Sequence, residues 1–92
     1  MLKEPSGWSS FLKLANKVGE ADVADEFYTF LFTDDEKEQI SKRIELTKAL
    51  LEGKKSQRDI SKDLLVSISK ITRGSNGLKH ISPKLKNFFV KK

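Results

Sequence analysis

The sequence predicts an all-α fold of six helices in a single domain, residues 1–92. Apolar residues recur every three or four positions, which is the spacing of one helix face. No stretch alternates apolar and polar residues over a useful length, so we expect no sheet. A chain of 92 residues without cysteine builds only a small core, and burial against a second copy would stabilise it.

Two helices are predicted in the first third of the chain. Residues 1–7 are expected to form a flexible arm. Helical spacing of apolar residues from Trp8 predicts a first helix that ends at Gly19. A second helix with a wide apolar face stops near Phe32. We interpret Trp8 as a core or dimer contact and the six phenylalanines of the chain as packing residues.

The third predicted helix carries signals at both ends. Thr33 and Glu36 have the spacing of a capping box, in which each side chain accepts a hydrogen bond from the other residue's backbone N–H. The helix continues to about Glu52, and Gly53 suits the left-handed conformation that follows many helices.

The sequence pattern of residues 56–80 predicts a DNA-binding helix-turn-helix. Ser56 and Ser67 are placed to cap its two helices. Ser61 stands where the two helices approach each other, a position that requires a small side chain. Gln57 and Arg58 begin the first helix, where their side chains can reach DNA. The residues expected to pack the two helices are apolar: Ile60, Leu64, Val66 and Ile71.

The corner of this motif departs from its usual pattern. Leu65 stands where glycine is usual, because the backbone there needs a positive φ. A leucine in that conformation costs roughly 1 kcal/mol, so we expect strain at the corner.

A final helix is predicted over residues 82–90. Ser82 can cap it, and Pro83 suits the first helical position. Its apolar stripe consists of Leu85, Phe88 and Phe89.

Charge divides the chain into an acidic half and a basic half. Residues 1–53 carry seven Lys/Arg against eleven Asp/Glu, and residues 54–92 carry eleven against two, giving net charges of −4 and +9. The basic half contains the predicted helix-turn-helix, so we expect a polyanion as its partner.

Several function classes are disfavoured by the composition. No apolar run approaches the ~18 residues that cross a membrane, and we expect no membrane partner, no signal peptide and a cytoplasmic location. His80 is the only histidine and has no nucleophile or metal ligand at a suitable spacing. We therefore expect neither an enzyme nor a metal or cofactor.

Nearly the whole chain, residues 8–90, resembles the tryptophan (Trp) operon repressor family. The similarity is carried by Ala49-Leu50-Leu51-Glu52-Gly53, by Ser56-Gln57-Arg58, and above all by Ile71-Thr72-Arg73-Gly74-Ser75-Asn76, with Leu78-Lys79 beyond it. The resemblance implies an intertwined homodimer, with residues 8–53 as dimerisation helices. It also implies L-tryptophan as corepressor and repression through operator DNA of tryptophan biosynthesis genes.

The resemblance also implies a tryptophan site. The indole would lie between the guanidinium planes of Arg43 and Arg73, an arrangement that suits flat cations and aromatic rings. Gly74 would leave room for the ring. From the other subunit, the Phe30 and Phe32 carbonyls would accept from the ligand ammonium, and the Thr33 hydroxyl would contact the carboxylate. Gly77 stands near the amine, where the family often has serine.

DNA contacts follow from the same resemblance. The expected set consists of Gln57, Arg58, Ser61, Ile68, Ser69, Lys70, Thr72, Arg73, Ser75 and Lys79, with Lys70 and Ser75 as phosphate contacts. Ser61 and Lys70 differ from the residues usual in the family.

Two alternatives remain open at the level of sequence. The first is a helix-turn-helix regulator with an altered or absent tryptophan response, motivated by Gly77, Phe30 and Phe32. The second is a basic RNA- or ribosome-associated helical protein. It leaves Arg43, Arg73 and Gly74 unexplained, and residues 54–80 contain no aromatic platform for stacking bases.

Overall fold

Six α-helices and no strand form the described part of the chain, residues 7–90, in a computed structural model. This confirms the predicted all-helical architecture. The helices are α1 (Trp8–Ala21), α2 (Ala24–Leu31), α3 (Asp34–Glu52), α4 (Gln57–Leu64), α5 (Ile68–Leu78) and α6 (Pro83–Val90). The predicted arm at residues 1–7 lies outside the described residues except for Gly7, which precedes α1 as its N-cap.

Side-chain hydrogen bonds cap the N-termini of α3, α4, α5 and α6 at the residues that the sequence predicts. The Thr33 hydroxyl accepts from the Glu36 N–H at 3.1 Å, and a Glu36 carboxylate oxygen accepts from the Thr33 N–H at 2.9 Å. The hydroxyls of Ser56, Ser67 and Ser82 accept from the N–H groups three residues later. Each cap satisfies a donor that the first helical turn leaves without a partner.

The prediction that Gly19 ends the first helix is wrong. Helix α1 continues to Ala21, and Asp22 follows it in the left-handed conformation with φ 57°. Asparagine and aspartate enter that region more readily than other side chains, so Asp22 can end the helix as glycine would. Glycine inside an exposed helix costs under about 1 kcal/mol relative to alanine, too little to stop α1 at Gly19.

The chain divides into two compact units, and the division falls inside α3 between Lys37 and Glu38. In the first unit, Val18 is buried and aromatic rings from α1, α2 and the following residue stack or tilt against each other. The ring centroids of Trp8 and Phe11 lie 5.4 Å apart, and those of Phe11 and Phe27 lie 6.4 Å apart. The Phe32 ring joins this cluster through Phe11 and Tyr28.

The second unit is built on three aliphatic side chains. Leu46 of α3, Ile60 of α4 and Ile71 of α5 are buried together, and Ile71 has no exposed surface at all. Half-buried apolar residues surround them: Ala49, Leu50, Leu64 and Val66. The four residues predicted to pack α4 against α5 therefore belong to one core: Ile60, Leu64, Val66 and Ile71.

Large apolar side chains remain exposed in the single chain. Phe30 is 87% exposed and Phe88 is 75% exposed, so these two phenylalanines do not pack as predicted within one copy. Other half-exposed residues of this kind occur on α1, α2, α3 and α6: Trp8, Leu12, Leu14, Leu31, Ile40, Ile44, Leu85 and Val90. A small monomer rarely leaves so much apolar surface in water.

Candidate functional site

The corner between α4 and α5 has the conformation that its sequence predicts. Leu65 lies in the left-handed region with φ 56° and ψ 45°, which confirms the expected positive φ. This conformation costs an ordinary residue roughly 1–2 kcal/mol, because Cβ crowds the following carbonyl. The side chain is 81% exposed, so burial within the chain does not offset the strain.

Two hydrogen bonds between the same pair of residues hold this corner. The Ser61 hydroxyl donates to the Val66 carbonyl at 2.6 Å, and the Val66 N–H donates to the Ser61 carbonyl at 3.3 Å. Serine is small enough to fit between the helices and supplies the donor. Ser61, which the resemblance assigns to DNA, thus has its hydroxyl engaged inside the motif.

Helix α5 has one buried face and one exposed face. Ile71 is fully buried, while Ile68, Ser69, Lys70 and Thr72 are exposed. The Ser67 hydroxyl accepts from the Lys70 N–H at 3.2 Å, which caps the first turn of α5. The first turn contains no acidic residue that would repel a polyanion.

Further basic and polar groups flank α5 in the second unit. Gln57 and Arg58 are exposed in the first turn of α4, which Ser56 caps through the Asp59 N–H at 3.1 Å. Lys79 is exposed at the end of α5. Each residue predicted to contact DNA is exposed, apart from Ser61 and Ser75, which are half-buried.

Helices α3 and α5 approach closely at Gly74. A Cβ at this position would lie 3.3 Å from Leu46 Cδ2 and 3.7 Å from Leu50 Cδ1. Close packing against α3 therefore explains why glycine, and no larger residue, stands at position 74. Arg73 precedes it on α5, and Arg43 lies one turn before Leu46 on the same side of α3. Both arginines are exposed, and each lies within one helical turn of a residue at this contact.

Gly77, by contrast, has no steric requirement. A Cβ there would meet nothing within 4 Å, and its φ is not positive. Two glycines within four residues lower the intrinsic helix stability of the second half of α5. This half is held mainly by the contact at Gly74 and by the half-buried Leu78.

The remaining predicted ligand contacts belong to the first unit. Thr33 is exposed, and its hydroxyl accepts the capping bond from Glu36 while keeping its own proton to donate. The Phe30 ring is exposed, whereas the Phe32 ring packs on Phe11 and Tyr28. Their carbonyls lie at the end of α2, where a helix leaves acceptors without intrahelical partners.

An open groove of about 210 Å³ between α3 and α4 was not predicted. Its lining mixes acids, lysines and apolar residues: Glu45, Lys48, Ala49, Glu52, Lys54, Lys55, Ile60, Asp63 and Leu64. Lys55 and Asp63 form an ion pair across it, and the Asp63 hydrogen bond and charge raise the pKa of Lys55. The two residues lie eight positions apart, outside the spacing of three or four that identifies helical ion pairs in a sequence.

Two further site classes find no support in residues 7–90. No group of His, Asp or Glu side chains there is arranged to hold a metal ion. None of the helices in this range has the length and apolar character needed to cross a membrane.

Comparison with known proteins gives one consistent family. The family model described as "Trp repressor protein" matches residues 6–92. The chain is 37% identical over 89 residues to the Trp operon repressor homolog of Chlamydia trachomatis serovar D, covering 97% of this chain and 95% of that protein. Identity to the homolog of Chlamydia caviae is 40% over 83 residues, covering 90% and 82%. The Haemophilus influenzae strain Rd homolog is 36% identical over 76 residues, covering 83% and 75%.

Proposed function

The chain belongs to the Trp repressor family, and we propose that it is an L-tryptophan-activated repressor that binds operator DNA as a homodimer. The family consists of DNA-binding regulators rather than enzymes. In the proposed mechanism, tryptophan fixes α5 in the orientation that fits the DNA major groove. The dimer then blocks transcription of tryptophan biosynthesis genes.

The main support for this proposal is that α5 has both an exposed first turn and, further along, a contact with α3. Its first turn exposes Ile68, Ser69 and Lys70, which suits contact with base edges and phosphates. Three residues further on, Arg73 and Gly74 bring the same helix against α3 beside Arg43. A ligand held between the two arginines would therefore set the position of the DNA-contacting turn.

Tryptophan has the chemistry that these side chains would recognise. Guanidinium planes stack on an indole face, and Arg73 can also pair with the ligand carboxylate. In the proposed dimer, the second copy supplies the Phe30 and Phe32 carbonyls to the ammonium. It also supplies the Thr33 hydroxyl to the carboxylate. Gly77 offers no side-chain hydroxyl to the amine, so the backbone carbonyls would carry that contact.

The exposed apolar surface supports a dimer. Phe30, Phe88 and the half-exposed leucines and isoleucines of α1, α2, α3 and α6 lose contact with water only if another surface covers them. The buried core of one copy is small, and burial against a second copy is the stabilising route open to a short chain without disulfides. Arg43 and Arg73 face the partner's α2 end in this proposal.

A second candidate function is a DNA-binding regulator that does not respond to tryptophan. Two observations favour it: Gly77 lacks a hydroxyl, and the Phe30 ring is free to intrude into a ligand site. The two candidates share the helix-turn-helix and differ only in the effect of the ligand.

DNA binding measured with and without L-tryptophan separates them. A palindromic duplex is first selected from a randomised pool by the protein in the presence of L-tryptophan. Fluorescence anisotropy should then show much tighter binding with the ligand than without it. Equal binding in both conditions supports the second candidate, and a failure to select any duplex contradicts both.

A further inference from the structure

We propose that Leu65 is a specificity-determining residue that reads thymine methyl groups in the DNA major groove. The proposal rests on the DNA-binding function proposed above and adds a class of target sequence to it. Leu65 is not among the residues that the family resemblance assigns to DNA, because the corner of the motif is normally occupied by glycine.

Leu65 has a strained backbone and an exposed apolar side chain, and neither stabilises the folded chain on its own. Its backbone is left-handed, with φ 56°, a conformation that leucine adopts at a cost. Its side chain is 81% exposed and gains little from packing on α4 or α5. Glycine or asparagine would fit this corner with less strain. An apolar side chain held here in water is explained if it becomes buried in a complex.

The position of the corner indicates what buries it. Leu65 lies two residues before Ser67, which caps α5, so it immediately precedes the turn proposed to enter the groove. Ile68, half-exposed in that turn, adds a second apolar side chain. Helices α4 and α5 carry four exposed cations, Arg58, Lys62, Lys70 and Arg73, against two exposed acids, Asp59 and Asp63, and this net positive charge favours a polyanion as partner.

One group in the major groove matches such side chains. The edges of guanine, cytosine and adenine present hydrogen-bond donors and acceptors, whereas thymine adds an apolar C5 methyl group. A leucine offers neither a donor nor an acceptor. We therefore infer that the preferred DNA carries thymine at the base pairs facing Leu65, with Ile68 extending the contact.

Replacing thymine by deoxyuridine tests this inference, because uracil keeps the base pairing and lacks only the methyl group. The duplex selected by the wild-type protein is prepared with each symmetric pair of thymines replaced in turn. At the positions facing the corner, binding by the wild-type dimer should weaken about fourfold for each methyl group removed. Replacement outside the protected region should have no effect.

Two variants identify the residue responsible. Leu65→Asn tolerates the left-handed backbone and removes the apolar branch, so it should bind thymine and deoxyuridine duplexes equally at those positions. Leu65→Met keeps an apolar side chain at the same backbone position and should retain the discrimination. Thermal unfolding of Leu65→Asn should show a midpoint at or above that of the wild type, so a change in DNA preference is not a folding defect.

The outcomes are separable from those of the proposed function. Tight binding with no sensitivity to deoxyuridine at any position overturns the role of Leu65 and leaves the repressor function intact. Discrimination that persists unchanged in Leu65→Asn overturns it as well. If no duplex is selected at all, the DNA-binding function fails and this inference fails with it.

Discussion

The two halves of α5 are held in different ways. The first half follows a capped turn, carries the fully buried Ile71, and exposes residues suited to DNA. The second half contains Gly74 and Gly77 and is held by the close approach of Gly74 to α3 and by the half-buried Leu78. We infer from this difference that folding alone fixes the half proposed to contact DNA, whereas the second half is weakly held and suited to control by a ligand.

Ile71→Ala would remove the anchor of the first half. Deleting a fully buried isoleucine side chain should lower the free energy of unfolding by about 2–5 kcal/mol, because lost burial and a cavity add together. Chemical denaturation measures the change. Ile68→Ala provides the control on the same helix, since that side chain is half-exposed and its loss should change stability far less. Equal losses would show that the two faces of α5 are not distinct.

Arg73→Ala would remove the proposed ligand contact of the second half. Losing the stacking and the charged hydrogen bonds should weaken L-tryptophan binding by about 2–3 kcal/mol, or roughly 30- to 150-fold. Isothermal titration calorimetry measures this affinity. Lys70→Ala alters a charge on the same helix outside the proposed pocket and should leave tryptophan binding unchanged. An unchanged affinity in Arg73→Ala would count against the assigned site.

Gly74→Ala and Gly77→Ala should have opposite effects on stability. Alanine improves helix propensity by about 0.5–1 kcal/mol at either position. At Gly77 the new methyl group meets open space, so the gain should appear as a higher melting temperature. At Gly74 it would press on the buried Leu46 at 3.3 Å, which should cancel or reverse the gain. Stabilisation by both substitutions would show that the approach of α3 and α5 tolerates an added side chain.

Leu65→Gly tests the corner that begins the first half. Removing the left-handed strain should raise the free energy of unfolding by roughly 1–2 kcal/mol. Glycine loses more conformational entropy on folding than leucine, which should lower it by about 0.5–1 kcal/mol. We therefore expect a net stabilisation of up to about 1.5 kcal/mol, measurable by urea unfolding. A loss of stability would mean that the exposed leucine packs against something in the folded protein.

The helix ends were the most predictable part of the fold. Thr33, Ser56, Ser67 and Ser82 each cap a helix through a local hydrogen bond, and such bonds depend only on residues three positions apart. Gly53 follows α3 with φ 68°, as the sequence indicates. The error at Gly19 has a local cause too, because Asp22 provides an alternative end for α1.

The candidate site was predictable only in part. The pattern of apolar residues identified Ile60 and Ile71 as buried packing residues of α4 and α5, and the unusual Leu65 marked a corner with positive φ. The bond from the Ser61 hydroxyl to the Val66 carbonyl depends on how the backbone turns after α4, which the pattern of apolar residues does not specify. The same holds for Gly74, whose contact with Leu46 joins residues far apart in the chain.

Amide hydrogen exchange along α5, measured with and without L-tryptophan, reports local opening of each half of the helix separately. We expect the ligand to slow exchange most strongly in the second half, from Arg73 to Leu78, with a smaller effect around the buried Ile71. Uniform protection of the whole helix, or exchange unaffected by tryptophan, would contradict the view that the second half is the part controlled by the ligand.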